Sequence, residues 1–181
     1  LRDLLAEAPA RSVVLATISK GTAELKVALR EPGPHREALR ARLDVGGLSE
    51  GTPLLDYARG HGRTWMILRL MMLLRRVDRG FLDGLAHRTP LLEGPVHSPP
   101  EVPVVSVVGF PLQSHLEGTI AERHGFLAPL GPNDGYGLIL DAMAGEVYPV
   151  WGASHYLRTP GLSRVFYGVL AALARRVASS G

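Results

Sequence analysis

Three short stretches of this sequence carry residues whose types, taken together, can move a proton and attack a carbonyl. Ser19 sits in Thr17-Ile18-Ser19-Lys20-Gly21, Asp134 in Gly131-Pro132-Asn133-Asp134-Gly135, and His155 in Trp151-Gly152-Ala153-Ser154-His155. A serine hydroxyl becomes a nucleophile when a histidine takes its proton. A carboxylate behind the histidine fixes the imidazole tautomer and stabilises the cation that forms. Ser19 stands where an apolar β-branched run turns into an Ala/Leu-rich helix former, the setting of a nucleophile elbow, and its pentapeptide matches G-x-S-x-G except at Thr17. The tight turn lifts the hydroxyl above the strand end and aims the backbone N–H of Lys20 at the same place, where it can stabilise an oxyanion.

Each of these residues also has a plainer reading. Ser19 is a good turn or N-cap residue, and Asp134 in Asn-Asp-Gly is a good turn former. His155 could be a satisfied loop histidine; His115 and His124 are rival bases and Asp141 a rival acid. The histidines and carboxylates lack metal-ligand spacing, so no metal site is expected.

The elements that must position these groups alternate between strand-like and helix-like runs, which predicts an α/β fold with a mostly parallel sheet flanked by helices. Strands are expected at 13–16, around 43–45, at 102–110 and at 147–151; helices at 1–8, 22–30, 136–144 and 161–177, with a helical turn at 35–41. Residues 46–58 and 111–130 read as loops. Ser19, Asp134 and His155 then fall in loops beyond strand C-termini, which share one edge of a parallel sheet. Residues 64–76 (TWMILRLMMLLRR) are apolar nearly all round. Such a helix is either core or a cap over an apolar site, in which Leu68, Met71 and Met72 would touch substrate. A softer helical stretch follows to His87, and the proline-rich 88–103 reads as the return from this insertion. The chain is expected to be one domain over 1–181, with the helical cap at about 57–100.

Composition narrows the function classes. The 181 residues are 46% hydrophobic, enough for a cored domain. The formal charge is +3, but the cations are scattered among acids, so nucleic acid is not an expected partner. There is no cysteine, which excludes disulfides and thiolate metal sites, and no run reaches the roughly 20 apolar residues of a transmembrane segment. The chain begins at a leucine inside an expected helix, which suggests a piece of a longer chain.

With these motifs in hand, the sequence resembles the C-terminal portion of an α/β-hydrolase from the nucleophile elbow onward, nearest to bacterial lipase-like and esterase-like members. The similar pieces are TISKG for the elbow, GGLSEGTPLLDYA for a loop beside the site, GPNDG for the acid loop and WGASHYLR for the histidine loop. The order Ser, Asp, His is that of the family. The resemblance implies a carboxylic ester hydrolase that works through an acyl-Ser19 intermediate without a cofactor. Its partners would be a small-molecule or lipid ester and, transiently, a lipid interface. Transfer of the acyl group to an acceptor other than water, or a non-catalytic module that binds an apolar partner, are the alternatives. The sequence departs from the family at Thr17, in the long loop before Asp134, and in lacking the upstream strands and the loop that supplies a second oxyanion N–H.

Overall fold

The computed structural model describes residues 1–74, 76 and 80–179. Its frame is a sheet whose strands run β1 (Val13–Ile18), β2 (Leu39–Val45), β3 (Val104–Phe110) and β4 (Glu146–Trp151), paired in that order and all parallel. Parallel neighbours require a crossover between them, and helices supply it. Between β1 and β2 lie α2 (Lys20–Ala28) and α3 (Pro34–Glu37), while α1 (Arg2–Ala6) precedes β1. Between β2 and β3 comes a helical insertion, α4 (Leu54–Gly60), α5 (Gly62–Leu74) and α6 (Gly80–Asp83). Between β3 and β4 lies α7 (Gly118–Leu127), and α8 (Leu162–Ser179) closes the chain.

The two central strands are buried almost throughout, as expected of a parallel sheet covered on both faces. Ala41, Leu43, Val45, Val105, Val107 and Val150 pack under Val169 and Leu173 of α8. On the opposite face Leu25 and Leu29 of α2 and its following turn meet Leu5, Leu39 and Val102. Leu39 faces α2 while Ala41 faces α8, two positions on, so the alternation is reset between them. A register shift opposite Val13/Val14 accounts for the reset.

β1 is an outer strand, and alternate residues of it remain in solvent, with Val14 50% and Ile18 69% exposed. No described residue pairs with its outer edge.

Several elements differ from the sequence reading. Leu39–Ala41 belong to β2 rather than to a helical turn, because sheet burial of Leu39 and Ala41 outweighs helix propensity. Residues 54–58 of the expected loop are helical, within α4. The stretch 111–130 contains α7, while the helix expected at 136–144 is a loop with one 3₁₀ turn at Leu140–Ala142. The 64–76 helix is found as α5, of which no described residue is buried, so it is not a core helix. Position 75 of that stretch, and 77–79 of the softer helical stretch expected after it, lie outside the described residues.

Candidate active site

Ser19 occupies the single residue between β1 and α2, with φ 51° and ψ −118°. A side chain rarely adopts such angles, and the conformation costs about 1–3 kcal/mol unless neighbours impose it. Here they do. The Ser19 N–H donates to the Val45 carbonyl at 3.0 Å, and the Ser19 carbonyl accepts from the N–H groups of Thr22 at 3.2 Å and Leu48 at 3.1 Å. Lys20 opens α2, at the positive end of the helix dipole.

Under this turn lies a buried polar chain. Thr17 pairs with Asp44 in register, and its hydroxyl donates to Asp44 Oδ1 at 2.7 Å. Having used its proton, Thr17 Oγ1 accepts from the Thr22 hydroxyl at 2.8 Å. Arg42 donates from Nε to both Asp44 oxygens, at 3.1 and 2.9 Å, and from Nη2 at 2.5 Å. Its Nη1 reaches Ser98 Oγ at 2.9 Å, which ties the return from the insertion to β2. Arg42 and Asp44 are each 1% exposed, so every charge in this pair is answered inside the protein. Thr17 therefore occupies the position of the usual first glycine with a bonded hydroxyl. There is room for it, since a Cβ built on Gly21 would lie 3.6 Å from Thr17 Cβ, ordinary contact.

The other two candidates meet Ser19 from separate loops. His155 follows β4, and its Nε2 lies 2.8 Å from Ser19 Oγ. Its Nδ1 lies 2.8 Å from Asp134 Oδ2. The second carboxylate oxygen, Oδ1, accepts from the backbone N–H groups of Tyr136 at 2.9 Å and Gly137 at 2.8 Å, and the His155 N–H donates to the Asp134 carbonyl at 2.8 Å. Ser19, His155 and Asp134 thus form one hydrogen-bonded line. Because Asp134 is almost fully buried and all its bonds are internal, its orientation is fixed by the turn that carries it.

The histidine loop comes this close because Gly109 leaves room. A Cβ on Gly109 would lie 2.8 Å from the carbonyl oxygens of Ala153 and Ser154. Gly46, at φ +54°, stands directly beside the imidazole.

The rival groups lie elsewhere. His115 Nδ1 approaches the Gly152 carbonyl at 3.4 Å, the His124 carbonyl accepts from Asn133, and Asp141 pairs with His87 at 3.0 Å and Arg88 at 3.6 Å. The Asp141 contacts fasten the end of the insertion to the loop before β4.

Sequence reasoning missed Tyr136. Its ring stacks on His155 at 4.8 Å and 25°, its hydroxyl bonds Tyr156 at 2.5 Å, and Arg123 donates to it while lying over its ring. Burial raises the Tyr136 phenol above its ordinary pKa, as does the bond to Tyr156, against the opposing pull of Arg123. Its place two residues after Asp134 in Asn-Asp-Gly-Tyr-Gly was the available signal.

Among the described residues, two cavities open at Ser19. One, about 520 Å³, runs beneath α4 and α5 and is lined by Lys20, Leu48, Leu55, Ile67, Leu68 and Met71 among others. Leu68 and Met71 therefore reach the site, whereas Met72 is half-buried and not part of this lining. The other, about 450 Å³, lies on the His155 side. Among the described residues there is no cluster of ligating side chains that could hold a metal ion, and no helix is long and apolar enough to cross a membrane.

No family model matches the sequence, and no curated protein matches it. Solved structures do. The metagenomic carboxyl esterase MGS0156 superposes with a TM-score of 0.66 at 21% identity, covering 99% of this chain and 60% of that one. The four-stranded parallel sheet and its flanking helices match part of the α/β-hydrolase fold. Bacillus licheniformis lipase BlEst2 superposes with a TM-score of 0.57 in its mature form, at 18% identity over 90% of this chain and 66% of that one. Its propeptide form gives 0.58 at 17% identity, over 90% of this chain and 36% of that one. This α/β-hydrolase sheet with its helical insertion thus spans only part of the length of the esterases and lipases it resembles.

Proposed function

We propose that the chain carries the reacting groups of a carboxylic ester hydrolase, with Ser19 as nucleophile, His155 as general base and acid, and Asp134 as the group that orients and stabilises the imidazole. The observation that carries the reading is the continuous hydrogen-bonded line from Ser19 Oγ through His155 to Asp134, placed at the mouth of two cavities.

The steps follow from the geometry. His155 Nε2 accepts the Ser19 proton as Oγ attacks the ester carbonyl carbon. The Lys20 N–H, at the start of α2, stabilises the oxyanion. Collapse of the tetrahedral adduct breaks the bond to the alcohol oxygen, which leaves with the proton from His155, and an acyl-Ser19 ester remains. Water then repeats the cycle, with His155 taking its proton and returning one to Ser19. No cofactor is required. Two peptide N–H donors and one imidazole N–H keep Asp134 an acceptor toward Nδ1–H, the role a carboxylate needs here. The insertion, about 57–100 within a single domain, acts as the cap: α5 lays Leu68 and Met71 over the first cavity, with Met72 beside them. The ester is a small molecule or a lipid, met at a transient lipid interface in the second case.

Stopped-flow hydrolysis of p-nitrophenyl butyrate is the test. A burst of nitrophenol equal to the enzyme concentration is expected, abolished in Ser19→Ala and His155→Ala, with kcat reduced on the order of 10⁴ in Asp134→Asn. Unchanged turnover in Asp134→Asn would remove it from the mechanism.

A further inference from the structure

The two cavities at Ser19 are not equivalent. Among the described residues, only Ser19 and Tyr136 line both. The larger includes Lys20 but not His155; the smaller includes His155 but not Lys20. Reaction chemistry then assigns them. The oxyanion must face the Lys20 N–H, and the alcohol oxygen must receive its proton from His155 Nε2. The alcohol half of the ester therefore hangs on the His155 side and the acyl half runs beneath α5.

We infer that the smaller cavity is the leaving-group site and that it selects esters of apolar alcohols over esters of polyols such as glycerol or sugars. The inference rests on the proposed ester hydrolysis and goes beyond it in naming which side of the ester is selected, and by what. The apolar wall is Ile18, Val45, Leu157, Leu162 and Phe166. Leu162 and Phe166 stand one turn apart on α8, so they present one face to the cavity. Of its polar groups, Ser19 is bonded to His155 and Tyr136 to Tyr156, so most of the lining that a ligand meets is hydrocarbon. A free hydroxyl held against Val45, Leu157, Leu162 and Phe166 would meet hydrocarbon in place of water. An apolar pocket rejects an added hydroxyl by about 10²-fold. At about 450 Å³ the space is in the range of small-molecule sites.

The stacked Tyr136 ring, placed between the two cavities, keeps the arms apart. Once the alcohol has left, the smaller cavity plays no part in deacylation. Its variants must act on acylation alone.

The experiment measures kcat/KM of the purified protein for two series: butyrates of hexanol, cyclohexylmethanol and glycerol, and ethyl esters from acetate to octanoate. The parent should favour hexyl over glyceryl butyrate by about 10²-fold. Phe166→Ser should shrink that ratio at least tenfold and leave the ratios in the ethyl ester series unmoved. Leu162→Trp, which narrows the cavity without removing apolar area, should depress the cyclohexylmethyl ester relative to the ethyl ester. It serves if Phe166→Ser does not fold. If these variants shift the acyl series instead, the assignment is reversed and the inference is wrong; if they shift neither, the cavity does not hold the alcohol. Absence of any ester turnover in the parent overturns the hydrolase reading, and this inference falls with it.

Discussion

Replacing Thr17 by valine keeps the shape of the side chain and deletes its hydroxyl, which makes it the sharpest probe of the polar chain under Ser19. The hydroxyl donates to a carboxylate that is 1% exposed and accepts from Thr22, itself buried. Loss of a hydrogen bond to a buried charge costs about 1.5–3 kcal/mol, and an unsatisfied Thr22 hydroxyl adds about 1 kcal/mol or more. Asp44 keeps its bonds from Arg42, which limits the first cost. The expected total is about 3 kcal/mol, or a fall in Tm of roughly 6–12 °C for a chain of this size. Because the chain also clamps α2 to β1 on either side of the strained serine, kcat should drop several-fold with KM little changed. Thr17→Ser, which restores donor and acceptor, should recover most of both losses. Thermal and urea unfolding of the three proteins, with kinetics on one ester, decide the matter. Stability of Thr17→Val within about 0.5 kcal/mol of the parent would refute the brace.

Two further outcomes are expected. The cap reading requires that Leu68→Ser with Met71→Ser reduce turnover of long-chain esters much more than of acetates, and that Met72→Ser, off the cavity lining, do so less; equal losses on both substrates would make α5 merely structural. The outer edge of β1, apolar and unpaired among the described residues, should make residues 1–181 expressed alone associate, as measured by light scattering. Val14→Lys should reduce that association, and a parent that stays monomeric at high concentration would count against it.

β1, β3 and β4 were legible because they carry β-branched residues between turn signals, whereas β2, LRARLDV, has only Val45 and is expected only around 43–45. The proposed set Ser19, Asp134 and His155 follows from residue type, chain order and position after strands, and the hydrogen-bonded line between them supports it. What escaped was set by packing. α7 carries Gly118 and Gly125, ends at Ala128-Pro129 and buries only Leu127, so no apolar stripe announced it. The helix expected at 136–144 gives way to a reversal in which Leu138 bridges Asn133 antiparallel and the Ile139 N–H donates to the Pro132 carbonyl, contacts that periodicity does not announce. Arg42 and Asp44 alternate with apolar residues along β2, a pattern that by itself implies exposed positions. Their burial follows from Thr17 and Ser98, partners far away in sequence. Tyr136 was hidden in the same way, since its importance lies in the imidazole it covers.

Fluorophosphonate labelling followed by peptide mass spectrometry tests the central assignment most directly, because the reagent phosphonylates only a serine whose hydroxyl is activated in place. The parent should carry a single adduct on Ser19, lost in Ser19→Ala and strongly slowed in His155→Ala. An adduct on another serine, or ester hydrolysis that persists in Ser19→Ala, would contradict the account.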